Sequence, residues 1–154
     1  MNYENCRLLL FSDPGPLALA IRWQTRSRYS HAALLLPDGK SVVESYPGVG
    51  VRIRVLDAGD WAKITAFRVD GFEARHWENA IRFATAQVGA GYDWVGVIRF
   101  LTRKPSTVNG RFFCSELAFE AISRAGKQLL RAEPCDVSPA MLALSPFILP
   151  DPPQ

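Results

Sequence analysis

In its first third the chain runs His31-Ala-Ala-Leu-Leu-Leu-Pro-Asp-Gly-Lys-Ser-Val-Val-Glu-Ser-Tyr46. Two apolar runs, 31–36 and 41–46, lie on either side of the turn-forming residues 37–40. An Asp-Gly pair between two strand-forming runs is a strong signal for a β-hairpin with a two-residue turn. The stretch therefore predicts two adjacent antiparallel strands.

The register of this hairpin brings two polar side chains together. With residues 38 and 39 as the turn, Leu35 pairs with Val42. His31 and Glu44 then become diagonal neighbours on one face, roughly 7–8 Å apart at the backbone and within side-chain reach. A carboxylate beside an imidazole fixes its tautomer and stabilises the imidazolium. The alternative is that Glu44 faces water, and a slip of one residue would put the two side chains on opposite faces.

Working outward, the apolar patterns predict further strands and then helices. The predicted strands are 6–11, 51–55 and 64–69, and the predicted helices are 17–25, 73–88, 93–101, 113–125 and 140–144. Strands that cluster early and helices that mostly follow them favour an α+β fold with an antiparallel sheet. Residues 146–154, with four prolines, are predicted to be a terminal tail.

Composition narrows the class of protein. The 154 residues are 48% hydrophobic and 21% charged, which suits a single domain over 1–154 with a substantial core. No apolar run approaches the roughly 20 residues that span a bilayer, and the N-terminus has no signal-peptide pattern, so we expect a cytoplasmic protein. The formal charge of +3 is small and spread out, so we expect no nucleic-acid partner.

Three cysteines, Cys6, Cys114 and Cys135, pose the central question. An odd and sparse set without a secretion signal argues against a disulfide scaffold. With only two histidines, His31 and His76, and no Cys-x-x-Cys pair, we expect no structural zinc site. Each thiol is therefore either a small buried side chain or a nucleophile.

Cys114 is the strongest candidate nucleophile of the three. It lies in Arg111-Phe-Phe-Cys-Ser-Glu-Leu117, at the predicted start of a helix. The unpaired N–H groups and the dipole of a helix N-terminus favour a thiolate, and they can also stabilise an oxyanion. The alternative is a small core residue in the first turn. Cys6 lies in an apolar strand and is expected in the core, whereas Cys135 has no visible activating neighbour.

Several separated segments resemble one known family. They are 20–34 (with Ser30-His31), Val42-Val-Glu44, Gly91-Tyr-Asp-Trp94 and Phe113-Cys-Ser-Glu-Leu117. In this order they resemble the permuted papain-like amidases of the YaeF/YiiX type, within the NlpC superfamily of cysteine hydrolases. The resemblance covers about 8–144. It departs from the family at residues 5–6, where Asn-Cys replaces the usual Gly-Asp.

The resemblance implies a circularly permuted papain-like fold and a role for each site residue. Cys114 corresponds to the nucleophile, His31 to the general base, and Glu44 to the residue that orients the histidine. Tyr92 corresponds to a pocket or oxyanion-side residue, and the neighbouring Trp94 and Phe113 are candidate substrate contacts. The implied substrate is a small peptide, including peptides of cell-wall type, or an acyl compound, and neither a metal nor an organic cofactor is required.

Other functions remain open at this point. The lecithin:retinol acyltransferase group shares the permuted arrangement, so a lipid thioesterase or acyltransferase is an alternative, favoured if Phe112, Trp94 and Leu101 line an apolar groove. A non-catalytic binding module and a metal held by Cys114 and His31 are further alternatives. The arginines Arg26, Arg28 and Arg52 are expected to form a solvated rim rather than a binding site for an anion. The oligomeric state is not predicted.

Overall fold

The computed structural model describes residues 1–95 and 111–151. Its strands are β1 (Leu8–Phe11), β2 (His31–Leu35), β3 (Ser41–Tyr46), β4 (Gly50–Val55), β5 (Ile64–Val69) and β6 (Ile148–Pro150). Its helices are α1 (Pro16–Thr25), α2 (Ala58–Trp61), α3 (Ala74–Ala86), α4 (Cys114–Arg124) and α5 (Pro139–Ala143). The strands form one antiparallel sheet in the order β4-β3-β2-β1-β5-β6. The predicted α+β class is confirmed.

The sheet is covered on both faces, which explains the continuous apolar sequence of β1. On one face, Leu8, Leu10 and Leu34 belong to the same buried cluster as the apolar faces of α3 and α4. On the other face, Leu9 and Leu35 pack in a second cluster to which Trp61 of α2 contributes. Because both faces of β1 are buried, its sequence does not alternate between apolar and polar residues.

The central hairpin has the predicted register. Leu35 pairs with Val42 and Leu34 pairs with Val43. The side chain of Asp38 accepts hydrogen bonds from the N–H groups of residues 40 and 41, at 2.9 and 2.8 Å, and so stabilises the turn. Because side chains alternate along a strand, this register puts His31 and Glu44 on the same face.

Two elements differ from the sequence prediction. Helix α2 was not predicted because its four residues are too few to show a helical period, although Asp57 and Asp60 form a reciprocal capping box around it. Strand β6 lies inside the segment predicted as a tail, where Phe67 pairs with Pro150 at the edge of the sheet. A proline is tolerated on such an edge strand. Most of the helix predicted at 93–101 lies outside the described residues.

Candidate active site

Cys114 is the first residue of α4 and is 2% exposed. The chain reaches it through a backbone bridge between Tyr92 and Phe112, and the Ser45 hydroxyl donates to the Phe112 carbonyl at 2.6 Å. These contacts fasten the start of α4 to strand β3. The helix itself begins without a side-chain cap from Phe113; instead, a carboxylate oxygen of Glu116 accepts the Phe113 N–H at 3.1 Å. The thiol therefore sits where helix N–H groups lack intrahelical acceptors.

His31 begins β2 and is 7% exposed. Its ring lies between two aromatic rings, with centroids 5.2 Å from Phe11 and 6.1 Å from Tyr46, both edge-on. Its Nε2 lies 2.7 Å from Oε2 of Glu44. The imidazole is thus restrained on both flanks by rings and at Nε2 by a carboxylate.

Glu44 is completely buried in β3. Its Oε1 accepts three guanidinium N–H bonds, from Nε and Nη2 of Arg52 at 3.0 and 2.8 Å and from Nε of Arg54 at 2.8 Å. Burial alone would raise the pKa of this carboxyl, but the bond to His31 and the two arginines outweigh it and lower the pKa to about 2. Glu44 is therefore an ionised acid in a dry position.

The pKa of His31 depends on its two neighbours, Glu44 and Cys114. Burial alone would lower the pKa of His31, but the charge and hydrogen bond of Cys114, together with those of Glu44, raise it to about 10. Since Glu44 occupies Nε2, the opposite ring nitrogen, Nδ1, is the one left for the thiol. Glu44 and Cys114 therefore both interact with the His31 ring, and both favour its protonated form.

A cavity of about 450 Å³ opens at the sulfur. His31 and Cys114 line it together with Tyr92 and Trp94, and the start of α1 supplies an apolar wall that includes Ile21. Burial, followed by the charges of Cys114 and Asp93, raises the pKa of Tyr92, so its phenol stays protonated. Tyr92 can therefore donate a hydrogen bond inside this cavity.

Not every predicted substrate contact lies at this cavity. Phe113 does not line it but is buried, with Tyr92 and Cys114, in a small cluster. Phe112 is likewise a core residue, in the cluster that includes α3 and α4. Both side chains are buried. Leu101 lies outside the described residues.

Sequence reasoning misjudged Arg52 and missed Arg54, the two arginines of β4. Arg52 was expected to belong to a solvated rim, but it bonds the buried Glu44, and Arg54 does the same. The register of β3 against β4 explains this, because Glu44 lies directly opposite Arg52. The Arg-x-Arg alternation opposite a single acid was the available signal. Arg28 instead bonds Tyr29 and Thr65, at 3.0 and 2.8 Å.

The fold and the site together define an α+β protein with a cysteine at a helix N-terminus beside a histidine on an antiparallel sheet. The structure is similar to the crystal structure of the metalloprotein yiiX from Escherichia coli O157:H7, DUF1105, with a TM-score of 0.72. The alignment covers 94% of each chain at 19% sequence identity, so it shows a YiiX-like fold. No family model matches the sequence, and no curated protein matches it.

No helix in residues 1–95 and 111–151 combines the length and the apolar character needed to cross a bilayer.

Proposed function

We propose that this chain is a cysteine hydrolase of the permuted papain-like type, which cleaves an amide bond through a thioacyl intermediate on Cys114. One observation carries the proposal: the buried Glu44 carboxylate bonds His31, and His31 interacts with Cys114 at the wall of one cavity. A nucleophile, a base and a group that orients the base are the three parts that covalent acyl transfer requires. The YiiX-like fold supports the same class.

In the proposed reaction, His31 has already taken the thiol proton of Cys114 when the substrate binds. The thiolate attacks the substrate carbonyl, and the N–H of Cys114 and the protonated phenol of Tyr92 donate to the developing oxyanion. His31 then protonates the leaving amine, which departs and leaves the acyl group on sulfur. Finally His31 removes a proton from water, and the resulting attack releases the acid and restores the thiol.

Thiol labelling tests this proposal and has two controls inside the chain. Cys6 is fully buried, and burial raises its pKa to about 12, whereas Cys135 is half-buried and lies outside the cavity. We expect iodoacetamide at pH 7 to alkylate Cys114 fastest, as mapped by peptide mass spectrometry, and His31→Asn to slow that labelling. If Cys114 reacts no faster than Cys135, the nucleophile is misassigned.

The apolar wall of the cavity favours an acyl compound as the second candidate substrate. Leu17, Ala18 and Ile21 of α1 line the same cavity as Trp94 and Cys114. A lipid thioesterase or acyltransferase would place a hydrocarbon chain there, whereas a peptidase would place an amino-acid side chain. Rates measured on p-nitrophenyl esters of increasing chain length, against matched aminoacyl anilides, separate the two. Preference for long esters supports the lipid enzyme, and preference for anilides supports the amidase.

A metal ion held by Cys114 and His31 is the next alternative. The yiiX protein is described as a metalloprotein. In residues 1–95 and 111–151 of this chain, however, no group of three or more His, Cys, Asp or Glu side chains is arranged to hold a metal ion. Both oxygens of Glu44 are occupied, by His31 and by the arginines of β4. The donor set therefore does not fit a metal at this site.

The remaining alternative is a binding module without catalysis. Binding alone does not require the buried pair of Glu44 and His31, whose desolvation costs free energy. Ligand binding that is equal in wild type and Cys114→Ala, with no turnover in either, would support the module and contradict the enzyme.

A further inference from the structure

The two oxygens of the Glu44 carboxylate have different hydrogen-bond partners. Oε2 faces His31 at 2.7 Å, and Oε1 accepts three guanidinium N–H groups between 2.8 and 3.0 Å. A completely buried carboxylate without counter-charges would take up a proton rather than stay ionised. A protonated Glu44 would lose the charge that stabilises the His31 imidazolium.

Arg54 is itself held from a second side. Its Nη1 and Nη2 donate to the two carboxylate oxygens of Asp60, at 2.5 and 3.1 Å, while its Nε donates to Glu44 at 2.8 Å. Asp60 is fixed in turn by the capping box of α2, where Asp57 N–H donates to it at 3.0 Å. One rigid guanidinium thus bridges an exposed helix cap and a buried acid.

Arg52, two residues before Arg54 on β4, binds the same oxygen of Glu44. Its guanidinium carbon lies 4.1 Å from the centroid of the Tyr46 ring, and its Nε and Nη2 both point at Oε1 of Glu44. Arg52, Arg54, Glu44 and Asp60 carry formal charges that cancel. These four residues therefore have no net charge, and neither does a thiolate paired with an imidazolium. The site as a whole can then hold that pair without an unbalanced charge in the interior.

We propose that Arg52 and Arg54, the latter anchored by Asp60, are positioning residues for the catalytic pair. They keep Glu44 ionised and reserve its Oε2 for His31, so that His31 stays aligned with Cys114. This inference rests on the proposed function, because alignment matters only if Cys114 reacts. The arginines contribute in two separate ways. The charge of Arg54 keeps Glu44 ionised, and its hydrogen bond holds the Glu44 carboxylate in position. Asp60 contributes only to position, because it anchors Arg54.

The test is the pH dependence of Cys114 alkylation by iodoacetamide, followed from pH 2 to pH 9 by peptide mass spectrometry. The acid limb of this profile is the fall in rate at low pH as Glu44 takes up a proton. Arg54→Gln removes one of the two charges that keep Glu44 ionised. We expect its acid limb to move to higher pH by about one to three units, the usual effect of an opposite charge in contact. Arg54→Lys keeps the charge without the planar fork, so its acid limb should stay close to that of wild type while its plateau rate falls.

Asp60→Asn separates alignment from charge. It leaves both arginines charged but removes the anchor of Arg54, so we expect a plateau about threefold to tenfold lower and no upward movement of the acid limb. Arg124→Gln is the matched control. Arg124 also pairs with a carboxylate and lies over an aromatic ring, Phe83, at 4.7 Å, but its carboxylate partner is Glu120 and not Glu44. Its profile should coincide with that of wild type.

Two results would overturn the inference. One is an Arg54→Gln profile that superimposes on the wild-type profile. The other is a uniform loss of rate in all of the variants, Arg124→Gln included, which would indicate general destabilisation. If Arg54→Gln does not fold, as judged by near-ultraviolet circular dichroism, Arg54→Lys and Asp60→Asn still test alignment. The proposed function fails differently, through an unreactive Cys114 in the wild-type chain.

Discussion

At the scale of single residues, environment distinguishes chemically identical thiols. Cys6 and Cys114 are both buried, yet Cys6 lies in an apolar cluster that raises its pKa to about 12. Cys114 lies at a helix N-terminus with an imidazole as its neighbour. In the sequence, helix position favoured Cys114, hairpin register paired His31 with Glu44, and the family resemblance joined the two. Their catalytic roles remain a proposal that the following experiment addresses.

The protonation of His31 can be measured directly. We expect the His31 imidazole to keep its proton until about pH 10 in wild type, and Cys114→Ala to lower its pKa because the charge and hydrogen bond of the thiol are removed. A decrease of about one to three units is the expected size. Nuclear magnetic resonance of the imidazole carbons gives the titration, and His76→Gln assigns the signals because the chain has only two histidines.

The same pKa change predicts how stability depends on pH. Folding raises the pKa of His31 from 6.5 to about 10, so its contribution to the free energy of unfolding is complete below pH 6.5 and is lost as the pH rises through about 10. The stability advantage of wild type over Cys114→Ala should shrink across that interval in urea titrations. An unchanged His31 pKa in Cys114→Ala would contradict the contact between the two side chains.

At the scale of secondary structure, long periodic segments were predictable, whereas two of the short elements were not. The stripe of Trp77, Ala80, Ile81, Ala84 and Val88 identified α3. The first four side chains are buried, whereas Val88 follows the helix and is exposed. Helix α2 has four residues and β6 has three, too few for either period to appear. The role of the β4 arginines was missed because it depends on how β4 pairs with β3, and local patterns do not specify that register.

Gly50 determines how closely β4 approaches the loop that leads to Tyr92. Its φ is +90°, and a Cβ there would overlap the carbonyl oxygen of Ala90. Gly48 has φ +77° but open space around it, so it is the matched control. We expect Gly48→Ala to cost about 1 kcal/mol from backbone strain alone. Gly50→Ala should cost about 3 kcal/mol or more, because overlap adds to strain.

Urea unfolding of both variants gives these values, and alkylation of Cys114 reports whether the Tyr92 side of the cavity has moved. Equal destabilisation by Gly48→Ala and Gly50→Ala would show that the close approach to Ala90 is not a constraint.

Glu116, at the start of α4, is a second group whose ionisation makes the free energy of unfolding depend on pH. Here the group is a buried carboxyl and not a histidine. Burial, and then the negative charges of Asp93, Glu120 and Asp136, raise its pKa from 4.5 to about 7, although the Phe113 N–H opposes this. A carboxyl whose pKa is raised on folding contributes stability below pH 4.5 that is lost as the pH rises through about 7.

Glu116→Gln should therefore flatten this decline, because an amide oxygen still accepts the Phe113 N–H without carrying charge. At pH 8 we expect the variant to be more stable than wild type, by up to about 3 kcal/mol. Urea titrations at pH 5 and pH 8 give the comparison, with Glu120→Gln as the control. A parallel decline in wild type and Glu116→Gln would exclude Glu116 as the source.

At the scale of the whole molecule, the site joins parts of the chain that local patterns cannot connect. The hairpin supplies His31 and Glu44 to one end of the sheet, and α4 brings Cys114 there from the other half of the sequence. Hairpin geometry predicts the first pair, because turn type and alternation determine it. The meeting of Cys114 with His31 depends on how α4 packs on the sheet, and only the family resemblance anticipated it.

The central claim is that Cys114 carries the acyl group during turnover. Incubation with p-nitrophenyl acetate, an acid quench and mass spectrometry of the peptides test it most directly. We predict one acetyl group on Cys114 in wild type and none on Cys6 or Cys135, with nitrophenol release abolished in Cys114→Ala. Undiminished nitrophenol release by Cys114→Ala, with no acetyl found on Cys114 in wild type, would contradict the account.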